Sequence, residues 1–586
     1  MRRVVLAVVL GLLALPASAQ QANRPNNILL FVADGLRPGT VNERTAPAMA
    51  ALMQRGVRFT NTYSLFPTFT TANASALATG HYLGDTGDFS NTIFVGFPVK
   101  AANDSPLAPL ENNDVLGELD QKLGSFLNEE TILKRARDAG YSTAALGKHG
   151  PTLIFDHTER SGAKTIVIDD ATGRRGGIPL SDEMTRRLAA ANLAAEAPHA
   201  TVVNIEQQAW LTDVARKAVL PMFKARDTPF VMVFWSRDPD VTQHRQADSV
   251  DRLLPGINGP STMAAVRNAD DTLARLLAAL KELGLDAATD VILTSDHGFS
   301  TASKESATSW AATQSYQDVP AGQLPPGFLG IDLAKALGLG LFDPDAKNAP
   351  VPPGQFPSRI GAILADDPAQ PKAIVVANGG SDLIYLPTED KALAAKIVEA
   401  LSKQDYTSGL FVAEALGRIP GTLPLSAIGL EGSAVTPKPA IVVNFRSFST
   451  GCADPTTCGV AVADTLFKQG QGIHGSFSRA DTRNTMAVAG PSFRQKFEST
   501  APVSNADLGR TVIRLMGLKA NDKGKLAGRV LTEALTNGSQ PLVQSSMLRS
   551  EPDAQGNVTV LMTKRADQTV YFHAAGYPGR TLGLPH

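Results

Sequence analysis

Three apolar runs in this chain stop on acids or imidazoles. "NNILLFVADG" (residues 26–35) ends on Asp34, "PFVMVFWSRDPD" (229–240) on Asp240, and "VILTSDHGFS" (291–300) reaches Asp296 and His297. Continuous apolar runs of this length, without polar alternation, read as strands buried on both faces. Helical patterns lie between them: "TAPAMAALMQRG" (45–56), "TTANASALATG" (70–80), "NEETILKRARDAG" (128–140, leading to a strand "STAALG") and "TMAAVRNADDTLARLLAALKELG" (262–284). Strands alternating with helices predict an α/β layered domain around a mainly parallel sheet. In such sheets the chemistry gathers at the carboxyl ends of the strands.

The remainder of the chain divides around that core. "MRRVVLAVVLGLLALPASAQ" has a charged start, a short apolar middle and Ala17-Ser18-Ala19, which predicts a signal peptide over 1–19 and an exported mature protein. The apolar run is short for a bilayer span, and no second segment of spanning length follows. We expect catalytic core over 20–300, a cap or insertion over 301–465, and core again with a C-terminal tail over 466–586. The pattern loosens after Ser300. "KAIVVANGGSDLIYLP" (372–387), a helix around 390–403 and "AIVVNFRS" (440–447) suggest a small α+β cap; "NVTVLMTK" and "TVYFHA" suggest a terminal hairpin. The two cysteines, Cys452 and Cys458, fit a local disulfide in an oxidising compartment such as a Gram-negative periplasm. With 55 basic and 56 acidic residues, the balance gives no sign of a nucleic-acid surface.

Asp240 is followed four residues on by His244, and a further histidine, His474, lies in "GIHGS". Singly these are ordinary residues: Asp34 reads as a helix cap, His244 or His474 as a structural histidine. Together, three Asp and three His supply the oxygen and nitrogen donors suited to Zn²⁺, enough for two ions. Paired metals clamp the attacking and leaving oxygens of a displacement at phosphorus. Thr70 opens a helix, where a threonine serves as N-cap or as a hydroxyl aimed at an anion.

In these motifs the chain resembles the alkaline phosphatase superfamily, most closely its nucleotide pyrophosphatase/phosphodiesterase (type I phosphodiesterase) branch. The motifs read "ADG", "PTFTTAN", "ATG" and "SN", then "DVTQH", "SDHG", "GIHG" and "AGPSFR", in the family's order. The resemblance covers residues 26 to 300 and about 465 to 540. It implies an alkaline-phosphatase-like three-layer sandwich and two Zn²⁺ per subunit. One zinc would be held by Asp240, His244 and His474, the other by Asp34, Asp296 and His297 with the Thr70 oxygen. It further implies a Thr70 nucleophile, a phospho-threonine intermediate, and Asn91 as donor to a phosphate oxygen.

Two departures bear on the substrate, a small-molecule phosphate ester. The branch often has Phe-Pro after the threonine, where Thr71-Ala72 stand here. "AGYSTAALGKHGP" resembles a stretch of sulfatases and some monoesterases, which makes Lys148 a candidate contact to phosphate. Monoesterases can carry a second cation two residues later, at the position of Gly150; Arg37, Arg245 or a cap residue are alternatives for that charge. The leading expectation is therefore an exported phosphodiesterase or nucleotide pyrophosphatase, and the rival a phosphomonoesterase on the same scaffold. A sulfatase lacks its formylglycine precursor motif here, and a non-catalytic binding protein has no reason to keep the nucleophile and six ligands. The oligomeric state stays open.

Overall fold

The computed structural model describes residues 25–585; the signal segment expected over 1–19 lies outside them. Eight strands form the central sheet: β1 (Asn27–Ala33), β2 (Val57–Phe59), β3 (Ser142–Gly147), β4 (Thr165–Asp169), β5 (Phe230–Ser236), β6 (Thr289–Thr294), β7 (Met486–Ala489) and β8 (Phe497–Ser499). Their spatial order is β8-β2-β7-β6-β1-β5-β3-β4. Only β7 runs antiparallel to its neighbours β6 and β2. The layered α/β expectation is thus met, with β7 closing the sequence-distant half onto the first.

The unbroken apolar character of β1 follows from its place at mid-sheet. Ile28, Leu30 and Val32 pack into the core on one face, Leu29, Phe31 and Ala33 into the core on the other. Helices α1 (Pro47–Arg55) and α3 (Pro260–Glu282) cover the second face; α2 (Thr70–Thr79) and α4 (Asn505–Leu515) cover the first. This is a three-layer sandwich. Because β1, β5 and β6 are parallel and in register, their carboxyl ends coincide: Ala33 lies opposite Ser236, and Val32 opposite Thr294.

Between β6 and β7 the chain builds an α+β cap. Its sheet contains Ala362–Ala365, Ala373–Ala377, Ser381–Tyr385, Thr407–Val412 and Ile441–Phe445, backed by helices Phe328–Leu337 and Lys391–Ser402. A smaller sheet returns the chain to the core, pairing Ser300–Ser303 with Gly459–Val462 and with Gly472–Ile473. The expected terminal hairpin, Val560–Ala566 with Thr569–Gly576, has a third strand, Val543–Arg549, on its outer edge. Cys452 and Cys458 form a disulfide. Among the described residues, no helix is long and apolar enough to cross a membrane.

Candidate active site

The coincident strand ends bring the distant acids together. Asp34 follows β1 directly, and its backbone N–H donates to Ser236 O (3.1 Å) at the end of β5. Asp240 sits one turn beyond β5, and its N–H donates to Asp34 O (3.0 Å). Asp296 and His297 follow β6, with Gly35 N–H donating to Asp296 Oδ1 (3.0 Å). His474 enters from the loop after Gly472–Ile473. All five side chains are buried.

Each of the three histidines is held by a backbone carbonyl. Nδ1–H of His244 donates to Gly472 O (2.8 Å), that of His297 to Gly298 O (2.9 Å) and that of His474 to Thr68 O (2.9 Å). This tautomer turns every Nε2 toward the acids, the outer arrangement that orients metal-ligating histidines. Asp34 Oδ1, Asp240 Oδ1 and Asp296 Oδ2 are buried without a well-aligned hydrogen bond. They face ring nitrogens instead: Asp296 Oδ2 and Asp34 Oδ1 lie 3.1 and 3.6 Å from His297 Nε2, and Asp240 Oδ1 lies 3.2 and 3.6 Å from Nε2 of His244 and His474. Buried carboxylate oxygens without partners are costly unless a cation completes them. Ligand atoms of Asp34, Asp296 and His297 lie within 4.8 Å of one another, as do those of Asp240, His297 and His474. His244 lies outside that group but beside it, with its Nε2 3.2 Å from Asp240 Oδ1 and its ring 5.1 Å from that of His474. These carboxylate oxygens and imidazole nitrogens are donors of the kind that could hold metal ions.

Protons and one lysine balance these charges in the protein itself. Burial opposes a proton on His297, but Asp296, Asp34 and Asp240 outweigh it and push its pKa up to about 9. Burial, together with Asp240 and Asp296, drives the Asp34 carboxyl well above its ordinary range. Burial acts the same way on Asp240, yet Lys148, His244 and His474 hold that carboxyl well below it. Burial and the neighbouring His297 and His244 push His474 down.

Thr70 is the first residue of α2; Phe69 holds the N-cap position, so the threonine hydroxyl is not spent on capping. Its Oγ1 lies 3.2 Å from His297 Nε2 and 3.4 Å from Lys148 Nζ. Asn91 is brought to the same helix end: its Oδ1 accepts from Thr71 N–H (2.9 Å). Lys148, one residue beyond β3, is buried, with Nζ 2.9 Å from Asp34 Oδ2 and 3.1 Å from Asp240 Oδ2. Arg37 does not reach the site: its guanidinium donates to Ile257 O, Thr457 O and Asn258 Oδ1. Arg245 is exposed.

Several residues at the site carried no motif of their own. Trp235 Nε1–H donates to Asp34 Oδ2 (2.8 Å), and Asn505 Nδ2–H to Asp296 O (2.7 Å). Asp88 accepts from the Thr71 hydroxyl (3.0 Å). Glu111 Oε1 lies 2.9 Å from Lys148 Nζ. Of these, only Trp235 had a signal, as the last bulky residue of an apolar run that ends on acids.

A family model described as type I phosphodiesterase / nucleotide pyrophosphatase matches residues 28–338. Among solved structures, human ectonucleotide pyrophosphatase/phosphodiesterase 5 is similar over 87% of this chain and 100% of its own, at 15% identity and a TM-score of 0.51. The murine protein of that name, in an inactive form in complex with AMP, is similar over 85% of this chain and 96% of its own, at 16% identity and a TM-score of 0.48. At such identity the first likeness is one of fold. No curated protein sequence matches the chain.

Proposed function

Since the chain belongs to the type I phosphodiesterase and nucleotide pyrophosphatase family, we propose that it is a metal-dependent hydrolase of phosphate diesters with Thr70 as nucleophile. The observation that carries this reading is the convergence at one sheet edge. Three orphaned carboxylate oxygens and three Nε2 atoms face one another, with the Thr70 hydroxyl 3.2 Å from the nearest of those nitrogens.

Asp34, Asp296 and His297, with the Thr70 oxygen, would hold one ion; Asp240, His244 and His474 would hold the other. Such ions, zinc by donor type, supply charge neutralisation at the attacking and leaving oxygens. The Thr70 hydroxyl gives its proton to water, Oγ1 attacks phosphorus, the new O–P bond forms, and the ester bond breaks with the leaving-group oxygen taking a proton from solvent. Lys148 Nζ stabilises the alkoxide form of Thr70 across 3.4 Å. Asn91, whose Oδ1 is fixed by Thr71 N–H, turns its Nδ2–H₂ to a non-bridging oxygen, and the first amides of α2 add to that field. Water then cleaves the phospho-threonine, and the two in-line displacements retain configuration at phosphorus.

The protein acts, in this reading, as an exported enzyme with core over 20–300 and 466–586 and cap over 301–465. The sequence of residues 1–19 and the Cys452–Cys458 disulfide support export. A second reading, a phosphomonoesterase, draws on the position of Lys148 beside Thr70, since an added cation favours a dianion. The test is kcat/KM for a nitrophenyl nucleotide diester against nitrophenyl phosphate, with a chelator control and Thr70→Ala. The diester is expected to be preferred and both controls to abolish turnover. Undiminished activity in Thr70→Ala would sink the mechanism, and faster monoester cleavage would move the protein to the second reading.

A further inference from the structure

We propose that Glu111 sets the charge of the ester this site accepts: paired with Lys148, its carboxylate disfavours the second negative charge of a monoester. The inference rests on the phosphoryl-transfer reading of the site given above.

Lys148 is the cation beside the Thr70 hydroxyl, and what it offers a phosphate depends on its other partners. Two of these, Asp34 and Asp240, belong to the ligand set, and their side chains are 0% and 4% exposed. The third is Glu111, 2.9 Å from Nζ, with 37% of its side chain exposed. Glu111 is thus the most exposed of the three carboxylate partners of Lys148, although the Oε1 that faces Nζ is itself buried. No ion of the proposed centre would draw on its charge, because it belongs to neither ligand group.

The backbone at Gly150 supports the same assignment. Its φ is +89°, and a Cβ built there would lie 2.4 Å from Glu111 Cα and 2.9 Å from its carbonyl carbon. A cationic side chain two residues after Lys148 therefore has no room; the segment carrying Glu111 fills that space. The other guanidinium whose field reaches Lys148, that of Arg237, is ion-paired with Asp170. Arg37 is turned away into a set of carbonyls. Lys148 and Arg237 each carry a carboxylate partner, so neither offers a dianion an unpaired positive charge.

The experiment compares methyl nitrophenyl phosphate with nitrophenyl phosphate at pH 8 on the metal-loaded protein. These share a leaving group and carry one and two negative charges. Relative to the unmodified protein, Glu111→Gln is expected to shift the ratio of kcat/KM toward the monoester by about tenfold, the effect of removing one charge at short range. Glu111→Asp, which keeps the charge, is expected to keep the ratio within about threefold. As a readout independent of turnover, inorganic phosphate is titrated calorimetrically into Thr70→Ala protein with and without Glu111→Gln; the charge-removed protein should bind it more tightly. A ratio that stays within twofold in Glu111→Gln overturns the proposal. If that variant turns over neither ester, unchanged phosphate affinity overturns it instead. An unmodified protein that prefers the monoester defeats the diester reading, whereas the role of Glu111 stands or falls on the change in ratio.

Discussion

Asp34 shows what the proposed site costs the fold. Its carboxyl is fully buried, with Asp240 and Asp296 beside it, and all three influences disfavour its charge. Lys148 and Trp235 satisfy Oδ2, but Oδ1 has no aligned partner. An asparagine there keeps the shape and mimics the protonated carboxyl that burial already favours, while Lys148 keeps Asp240 and Glu111 as partners. We therefore expect metal-free Asp34→Asn to melt no earlier than the metal-free parent. Adding Zn²⁺ should raise the melting temperature of the parent far more than that of the variant, and turnover should fall by more than about a hundredfold. Differential scanning fluorimetry with and without chelator tests this. A variant that melts well below the parent without metal would mean that Asp34 serves mainly to hold the fold.

At the scale of elements, His81 joins three of them just beyond the far end of α2. Its Nδ1 lies 3.1 Å from Asp85, and its Nε2 lies 3.0 Å from Asp522 and 3.7 Å from Glu129. Those carboxylates are already occupied: Glu129 accepts from the N–H groups of Lys523 and Gly524, Asp85 from those of Ser433 and Leu526. We read the cluster as a clamp on the 520s loop. Burial opposes a proton on His81, but Asp85, Glu129 and Asp522 outweigh it and raise its pKa above 6.5. The folded protein then holds that proton more tightly than the unfolded chain does. The stabilisation is complete below pH 6.5 and fades as pH climbs through the raised value. His81→Gln should accordingly cost on the order of 2 kcal/mol at pH 6, where the acids lose a charged partner. Urea melts should show that the gap between parent and variant narrows by pH 9; a gap that widens with pH would refute the charged clamp. None of this was legible in "ATGHYLGD", because the partners of His81 come from segments up to 441 residues away. The strands and the acids and imidazoles at their ends were legible for the opposite reason: burial on both faces leaves an unbroken apolar run, and each run ends on the polar group it brings to the sheet edge. Val543–Arg549 left no such trace, since every residue in it is exposed and no alternation results.

Across the whole molecule, the cap is hydrogen-bonded to the loop that carries His474, one of the proposed metal-binding residues. Sequence reading placed an α+β insertion after Ser300 but gave no sign of how it meets the site, because the contacts are made by a glycine N–H and by small polar side chains that carry no motif. In the cap turn, Gly380 N–H donates to His474 O (3.0 Å) and the Ser381 hydroxyl donates to Gly475 O (2.6 Å). Asn444, on the adjoining cap strand, accepts from Phe477 N–H (2.8 Å) and donates to Ala575 O (3.2 Å) of the terminal hairpin. The His474 loop is therefore gripped by the cap on one side and bonded through Nδ1 to Thr68, two residues before Thr70, on the other. A Cβ at Gly380 would lie 2.6 Å from Ser476 N and 3.0 Å from His474 O, both backbone atoms that cannot swing aside. Gly380→Ala must then push the His474 loop toward Thr68 and misalign its Nε2, although it touches no ligand side chain. Displacing the support of a metal-binding histidine costs roughly 10- to 100-fold in affinity. We expect a loss of that size for Zn²⁺ in competition with a chelating dye, while the Cys452–Cys458 loop and the central sheet remain intact by hydrogen exchange. Unchanged affinity would show that the cap merely rests against the loop, and the specificity of the site would then have to be sought in Glu111 and the core alone.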